Sequence, residues 1–195
     1  MKTIIFLLIL AGAWYHFYYI GTMPNSGSNT TVDAGPFQSN VAPKKFEFKE
    51  VTLTEKASYS VTAKVLSAER YYFDRHSKIS TMDVVIGWYN LSDESILDQI
   101  EFSQSDRQYQ WHAPTQVLSE QEIVSTSSNI HLIPANDEIA QQLKQLKIGQ
   151  IIYLNGVLVD VDNPLGWHWK TSLKRTDTGK NASEILYLTE FEIVE

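Results

Sequence analysis

The chain has 195 residues, of which 43% are hydrophobic and 12% aromatic, which is enough for one domain with its own core and some additional chain. Its formal net charge of −7 disfavours non-specific binding to nucleic-acid phosphates, because such binding needs a basic face. The sequence contains no cysteine, which excludes disulfides, thiolate metal ligands, a cysteine nucleophile and a lipid anchor on an N-terminal cysteine.

The strongest signal lies at the N-terminus, where residues 1–20 carry one charge, Lys2, ahead of an apolar and aromatic run. A run of about 20 apolar residues is long enough to cross a bilayer as a helix. A cleaved signal peptide is the alternative, but the aromatic residues from Trp14 to Tyr19 favour an uncleaved transmembrane helix, since such residues mark membrane interfaces. Because the next basic residue after Lys2 is Lys44, the positive-inside rule favours a cytoplasmic N-terminus and a translocated C-terminal domain.

Residues 21–43 are rich in Gly, Ser, Asn, Thr and Pro and show no apolar period. That composition is typical of a flexible linker. We therefore divide the chain into a transmembrane anchor or signal peptide at residues 1–20, a linker at 21–43 and one folded domain at 44–195.

The domain is predicted to be mainly β, because most of its apolar residues alternate or occur in short buried runs. These patterns indicate strands over residues 58–68, 82–90, 149–162 and 183–195, with a bulge or bend at Gly156. Shorter strands are predicted over residues 107–112, 121–127 and 167–173.

One main helix is predicted at residues 136–147. Asn136 provides an N-cap, and Ile139, Leu143 and Leu146 recur along one face. Gly149 follows as a stop signal. A second, short helix is expected after Ser92, which we assign as its cap.

The order of these elements resembles the oligonucleotide/oligosaccharide-binding (OB) barrel, whose helix lies between its third and fourth strands. The segments SNIHLIPAND, GQIIYLNGVLV and WKTSLKRTDTG also look like those of a group of uncharacterised, envelope-anchored bacterial proteins, over roughly residues 58–194. This resemblance supports a bacterial source. With the predicted anchor and the element order, we expect a single-pass protein of the inner membrane whose OB-like β-barrel domain lies in the periplasm or outside the cell. The resemblance implies no catalytic residues, because none are established for that group.

Aromatic residues beside arginines are the main candidates for a binding site. Tyr109 and Trp111 alternate along one predicted strand, and Trp167 and Trp169 along another, so each pair faces one side of its strand. An exposed aromatic pair beside an arginine offers a platform on which a sugar, a base or a peptide side chain can stack, whereas core packing is the alternative for any one tryptophan. The ligand-binding candidates are Arg107, Tyr109, Trp111, Trp167, Trp169 and Arg175.

Catalytic and metal motifs are missing from the sequence. There is no nucleophile elbow, phosphate loop or zinc helix, and the histidines are too dispersed for a local metal site, so we expect no metal and no cofactor. Arg175, Asp177, Glu184 and His168 could meet across a hairpin as an acid/base set, although an exposed charged hairpin is the simpler interpretation.

His131 stands between the apolar residues Ile130 and Leu132, shortly before Pro134. We expect its side chain to be structural and to bond a backbone group left open ahead of that proline, which lacks an N–H. The whole sequence is thus most typical of a non-enzymatic binding or assembly module whose partner is a protein or a small polar ligand such as a saccharide or a peptide. The alternative is an envelope hydrolase that uses His131 or His168 with nearby carboxylates.

Overall fold

A computed structural model describes residues 30–179 and 182–195, together with Gly12. The predicted membrane anchor at residues 1–20 and most of the predicted linker up to residue 29 therefore lie outside the described residues. Within the described part of the chain, no helix has the length and the apolar character needed to cross a membrane.

The described chain forms ten strands, three short helices and one 3-10 turn. The strands are β1 (Phe37–Asn40), β2 (Lys45–Phe48), β3 (Val51–Arg70), β4 (Met82–Gly87), β5 (Glu101–Ser105), β6 (Gln108–His112), β7 (Ser127–Pro134), β8 (Ile151–Asp162), β9 (His168–Trp169) and β10 (Glu184–Ile193). The helices are α1 (Glu94–Leu97), α2 (Glu120–Thr126) and α3 (Asp137–Leu143), and the 3-10 turn is Tyr89–Ser92.

Eight of the described strands belong to one sheet, and five of them form a closed path in which the last strand pairs with the first. β3 pairs with β4, β4 with β7, β7 with β10, β10 with β8, and β8 pairs again with β3. Only the β7–β10 pairing in this path is parallel. β1 and β2 extend along the first half of β3, and β9 adds to the end of β8. The prediction of a mainly β protein is confirmed.

The apolar residues of the five strands meet on the inside of this closed path. Val61, Val84, Leu132, Leu154 and Leu186 each come from a different strand and belong to one buried cluster. Because side chains alternate along a strand, the neighbouring positions face outward, where the β5–β6 hairpin, α2 and the chain segments beside β9 cover them.

Helix α3 is shorter than the predicted 136–147 span. Asn136 is its N-cap, as predicted, since its side chain accepts a hydrogen bond from the N–H of Ile139. The α-helix ends at Leu143, and the following residues continue in tighter turns, with Leu146 N–H donating to the carbonyl of Leu143. These turns keep Leu146 buried, as the apolar pattern predicted, although the α-helix ends before this residue.

Two local predictions between β4 and β7 are wrong. Residues 121–127, predicted as a strand, are mostly helix α2, because Ser119 caps it by accepting from the N–H of Glu122, a capping-box spacing that outweighs the β-branched residues. The cap of α1 is Asp93 and not Ser92. Ser92 is buried instead, and its hydroxyl accepts a hydrogen bond from the N–H of Val32 at 2.7 Å.

The predicted linker overlaps the ordered domain. Val32 is buried in the main core cluster, and β1 pairs antiparallel with residues 57–60 of β3. The described order thus begins well before Lys44, where we placed the domain start. Composition did not reveal this, because β1 is held by backbone pairing while its side chains stay largely outside the core.

Candidate functional site

A cavity of about 440 Å³ opens where β6, the start of β7 and the chain leading into β10 meet. Three of the six predicted ligand-binding residues, Tyr109, Trp111 and Arg175, line it. Polar residues complete the lining, among them Gln108, Gln110, Asn129, Ser128, Asp177 and Glu184.

The aromatic wall comes from strand β6. Its side chains alternate between exposed and half-buried, which places Tyr109 and Trp111 on one face, as predicted. That face packs against the cluster around Val85 and Ile123, while the tyrosine hydroxyl lies 3.2 Å from the hydroxyl of Ser127. Burial raises the pKa of Tyr109, so this hydroxyl stays protonated at neutral pH.

An ion pair between the half-buried Arg175 and the buried Glu184 forms one end of the cavity. Nη1 of Arg175 donates to Oε1 of Glu184 at 2.6 Å, and the hydroxyl of Ser128 donates to the other carboxylate oxygen. Burial raises the pKa of Glu184, whereas Arg175 and Ser128 act against that rise. The guanidinium carbon also lies 5.6 Å from the ring centre of Tyr59 and 5.4 Å from that of Trp88.

The loop that carries Arg175 is fixed by local hydrogen bonds. The hydroxyl of Ser172 lies 2.6 Å from Oδ2 of Asp177 and accepts from the N–H of Lys174 at 3.0 Å. Gln38 on β1 donates to the carbonyl of Leu173 at 3.0 Å. The arginine therefore projects from a segment with a defined shape, which lets it meet Glu184 without a regular strand.

Asn129 ties the cavity to the β5–β6 hairpin. Its Nδ2 donates to the carbonyl of Arg107 and to the hydroxyl of Ser183, both at 3.0 Å, and its Oδ1 accepts from Gln104 at 2.9 Å. A buried asparagine with three partners on two segments has few other orientations available. This residue keeps the aromatic wall and the loop before β10 in register.

Arg107, also predicted to bind a ligand, lies in a different place and is fully engaged within the protein. It occupies the second position of the tight turn between β5 and β6, with a positive φ of 62°. Its guanidinium group donates to both carboxylate oxygens of Asp74, to Asp83 at 2.9 Å, and to the hydroxyl and carbonyl oxygens of Ser80. All five N–H donors are thereby used, so the side chain fastens the hairpin to the sheet.

Trp169 contacts two histidine rings, stacking on His76 and lying at a tilt to His131. Its ring centre lies 4.1 Å from that of His76 and 4.6 Å from that of His131, and Trp167 contacts His76 at 5.0 Å. Two of the histidines that looked too dispersed in sequence, His76 and His131, therefore lie against one ring. Burial, assisted by the charge of Arg107, lowers the pKa of His76 to about 4, so this ring is neutral at pH 7. Neither Trp167 nor Trp169 lines the cavity beside Arg175.

His131 is buried beside a carboxylate. Its Nδ1 lies 2.8 Å from Oδ2 of Asp83 on the neighbouring strand β4. The partner of this nitrogen is thus a side chain, and not the backbone ahead of Pro134 that the sequence suggested. His168 is the opposite case, since its side chain is 64% exposed and its Nδ1 lies 2.6 Å from Asp162. Neither histidine reaches the cavity.

The acid/base set considered from the sequence is assembled only in part. Arg175, Asp177 and Glu184 come together at the cavity, but His168 points elsewhere. The simpler interpretation, an exposed charged hairpin, is wrong for Glu184, which is buried. Asn129 and Ser128 were missed, although three polar residues at the start of an otherwise apolar strand are a signal that could have found them. Within residues 30–179 and 182–195, no cluster of histidines and acids is arranged to hold a metal ion.

Comparisons with known proteins leave the site without a template. No family model matches the chain, and no curated protein or solved structure matches it either. The likeness to envelope-anchored bacterial proteins therefore rests on the three quoted segments alone. What the cavity binds has to be inferred from its own chemistry.

Proposed function

We propose that the chain is a membrane-anchored, extracytoplasmic and non-enzymatic binding module that holds a small polar ligand, such as a saccharide or a peptide, in the cavity between Trp111 and Arg175. The observation that carries this proposal is the joint presence, around one cavity of about 440 Å³, of an aromatic wall and an arginine paired with a buried glutamate. Cavities of this size with a few fixed polar groups are the usual form of small-molecule sites.

The chemistry of the lining favours a ligand with many hydrogen-bonding groups and an apolar face. Trp111 and Tyr109 can stack on a sugar ring or an aliphatic side chain. Around the cavity, the hydroxyl of Thr178 can both donate and accept, and the carboxylates of Glu120 and Asp177 can accept. Hydroxyl and amide groups of a saccharide or a peptide match such a surface.

A nucleic acid is a poor match to the same lining. Glu120, Asp177 and Glu184 place three carboxyl groups around the cavity against one arginine. The chain as a whole has a net charge of −7. Phosphate binding requires the reverse balance.

The arrangement of strands supports an OB-like barrel as the scaffold. The closed path runs β3, β4, β7, β10, β8 and back to β3, and α3 lies between β7 and β8, the third and fourth strands of that path in chain order. OB barrels bind saccharides and oligonucleotides on the face of their second and third strands and on the loops after the first and the fourth. The cavity uses the third strand, β7, and the long connection after the fourth, β8.

The location outside the cytoplasmic membrane rests on the sequence, where the apolar run at residues 1–20 follows Lys2. A reporter fused after Glu195 tests it, because activity of a reporter that works only in the cytoplasm would contradict the proposed topology. The hydrolase alternative has no such support from the cavity, since His131 and His168 both lie away from it.

Binding is tested by titrating the full chain, in a neutral detergent, with a panel of small oligosaccharides and short peptides, followed by calorimetry. We expect at least one class to bind, and Trp111→Ala to weaken its affinity at least about tenfold, which corresponds to about 1.4 kcal/mol. Trp167→Ala is the matched control, because Trp167 is half-buried but lies outside this cavity. Equal losses in the two variants, or no binding across the panel, would contradict the proposal.

A further inference from the structure

A second cavity, of about 420 Å³, lies away from Arg175 and has a different character. It is bounded by the β2–β3 turn, the loop between β3 and β4, and the turn between β8 and β9. Its floor is apolar and consists of Val51, Ile79 and Trp167, and its rim carries Lys49, Glu50, Arg75, Lys78, Asn163 and Leu165.

The rim is basic within an acidic protein. Lys49, Arg75 and Lys78 provide three positive charges against the single carboxylate of Glu50, while the chain carries −7 overall. Lys78 and Glu50 form an ion pair at 2.9 Å, but both side chains are about 70% exposed, so water screens the pair and little energy is needed to open it. A local excess of positive charge remains available to an anionic partner.

Leu165 is held in water at the edge of this cavity by a well-formed turn. Its N–H donates to the side chain of Asn163 at 2.8 Å, and the N–H of Gly166 donates to the backbone carbonyl of Asn163 at 2.9 Å. Gly166 adopts a φ of 89°, a conformation that suits glycine. The turn thereby presents a leucine that is 90% exposed. Exposing such a side chain to water is unfavourable relative to burying it.

The loop between β3 and β4 adds two more exposed apolar rings. Phe73 is fully exposed and Tyr72 is 60% exposed, and both lie close in sequence to Arg75. Exposed leucine and aromatic residues next to basic ones are typical of protein surfaces that rest on a lipid headgroup layer.

We propose that the surface around this cavity binds to a lipid bilayer. Arg75, Lys49 and Lys78 would contact the headgroup of an anionic phospholipid, and Leu165 would insert at the boundary between headgroups and acyl chains. Each lysine or arginine near an anionic membrane adds to the strength of such binding. An anchor at residues 1–20 would leave the nine residues 21–29 before the described domain, a reach of roughly 30 Å. The second cavity is independent of the ligand proposed for the first.

The chain has no cysteine, so one introduced cysteine can be labelled specifically without first replacing native cysteines. Leu165→Cys, labelled with an environment-sensitive fluorophore, is compared in the full chain with Glu138→Cys on the exposed face of α3. The vesicles contain phosphatidylcholine alone or with about 30% phosphatidylglycerol, and each carries a quencher on its acyl chains.

We expect quenching at position 165 to increase about twofold or more with phosphatidylglycerol, to fall at high salt, and to stay low at position 138. Arg75→Gln with Lys78→Gln should abolish the increase, whereas Arg75→Lys with Lys78→Arg should retain it. Equal quenching at position 165 with and without phosphatidylglycerol, or an unchanged response in the glutamine variant, would overturn the proposal.

Discussion

The carboxylate of Asp83 lies 2.8 Å from Nδ1 of His131, and neither side chain has more than 4% of its surface exposed. The two residues are directly opposite each other on β4 and β7. The other oxygen of the same carboxylate accepts from Arg107 at 2.9 Å. One buried carboxylate thus connects two sheet strands to the tip of the β5–β6 hairpin, which makes this contact a structural centre outside the proposed ligand cavity.

Replacing His131 by Ala should lower the free energy of unfolding by about 1 to 3 kcal/mol, since it removes the polar neighbour of the buried Asp83 carboxylate and a ring packed at a tilt against Trp169. Chemical denaturation measures the change. His168→Ala is the control, and we expect less than about 0.5 kcal/mol there because the side chain is mostly exposed. If His131→Ala left stability intact but abolished ligand binding, its structural role would be refuted.

Replacing Arg107 by Met should cost more, about 3 to 5 kcal/mol, because Asp83 would keep its buried charge without the cation that offsets it. Arg107→Lys should recover only part of the loss, since lysine cannot reproduce the forked contacts with Asp74. Lys78→Met removes an exposed ion pair instead and should cost less than about 1 kcal/mol. Denaturation of the three variants gives the comparison, and similar costs for Arg107→Met and Lys78→Met would contradict this account.

Period-two patterns located most of the sheet, because Val, Ile and Leu at alternate positions can be satisfied only by a strand with a buried face. They also identified Tyr109 and Trp111 as one face of β6. The patterns missed the first part of β3, from Val51, where threonine and charged residues alternate with the buried ones. They missed β1 as well, since its place depends on a free edge of β3 and not on its own side chains.

The buried polar contacts could not be derived from spacing. Asp83 sits within an apolar run, and its partner Arg107 comes 24 positions later in a polar hairpin. Only the tertiary arrangement brings the two together. The same holds for Arg175. Its partner Glu184 is predicted from the sequence to lie in an exposed hairpin, but the start of β10 is buried in the structure.

The stability of the protein should fall between pH 6.5 and pH 4 partly because of His76. Burial lowers the pKa of this ring from 6.5 to about 4, so in that window the unfolded chain takes up a proton that the folded chain does not. The stabilising contribution of the neutral His76 ring is fully present above pH 6.5 and decreases as the pH falls. Below about pH 4 this residue causes no further change in stability. The ring is only half-buried, which makes the effect smaller than the full shift implies.

His76→Gln isolates this contribution. Two other groups also change the stability in acid. Burial raises the pKa of Glu184, so its effect on the pH dependence of stability is opposite to that of His76. The pKa of Asp74 is lowered, because Arg107 outweighs the effect of burial, and this group acts below its usual value of 3.8. Subtracting the variant from the parent removes both. We expect unfolding free energies of the variant, measured across this range, to depend less steeply on pH, and parallel curves would argue against the assignment.

Gly156→Ala should destabilise the closed sheet by at least about 3 kcal/mol, because a Cβ at this position would lie 2.1 Å from the carbonyl oxygen of Tyr187. The sequence predicted a bulge or bend at this glycine, and the structure places the register shift opposite it, between Leu188 and Glu190 of β10. Gly166→Ala tests backbone strain alone, since a Cβ there meets open space. Thermal unfolding should show a smaller cost for it, about 1 kcal/mol, and equal costs would mean that contact with β10 is not the cause.

A chain that begins at residue 44 should be less stable than one that begins at residue 30, by about 2 kcal/mol or more, because it loses the buried side chain of Val32 and the pairing of β1. Comparison of the two unfolding curves under the same conditions measures the difference. Coincident curves would show that residues 30–43 lie on the domain without supporting it.

The attachment of Val32 also determines where a mechanical load would enter the domain. A pull on the chain ahead of residue 30 would reach the bonds that Val32 makes with Ser92 and with the N–H of Tyr89 at 2.7 Å. Only after these bonds break would tension reach β1, which could then peel from β3 one residue at a time, leaving the five-stranded closed path intact. The N-terminal segment, with the core side chain of Val32, would therefore detach under force before the five-stranded closed path opens.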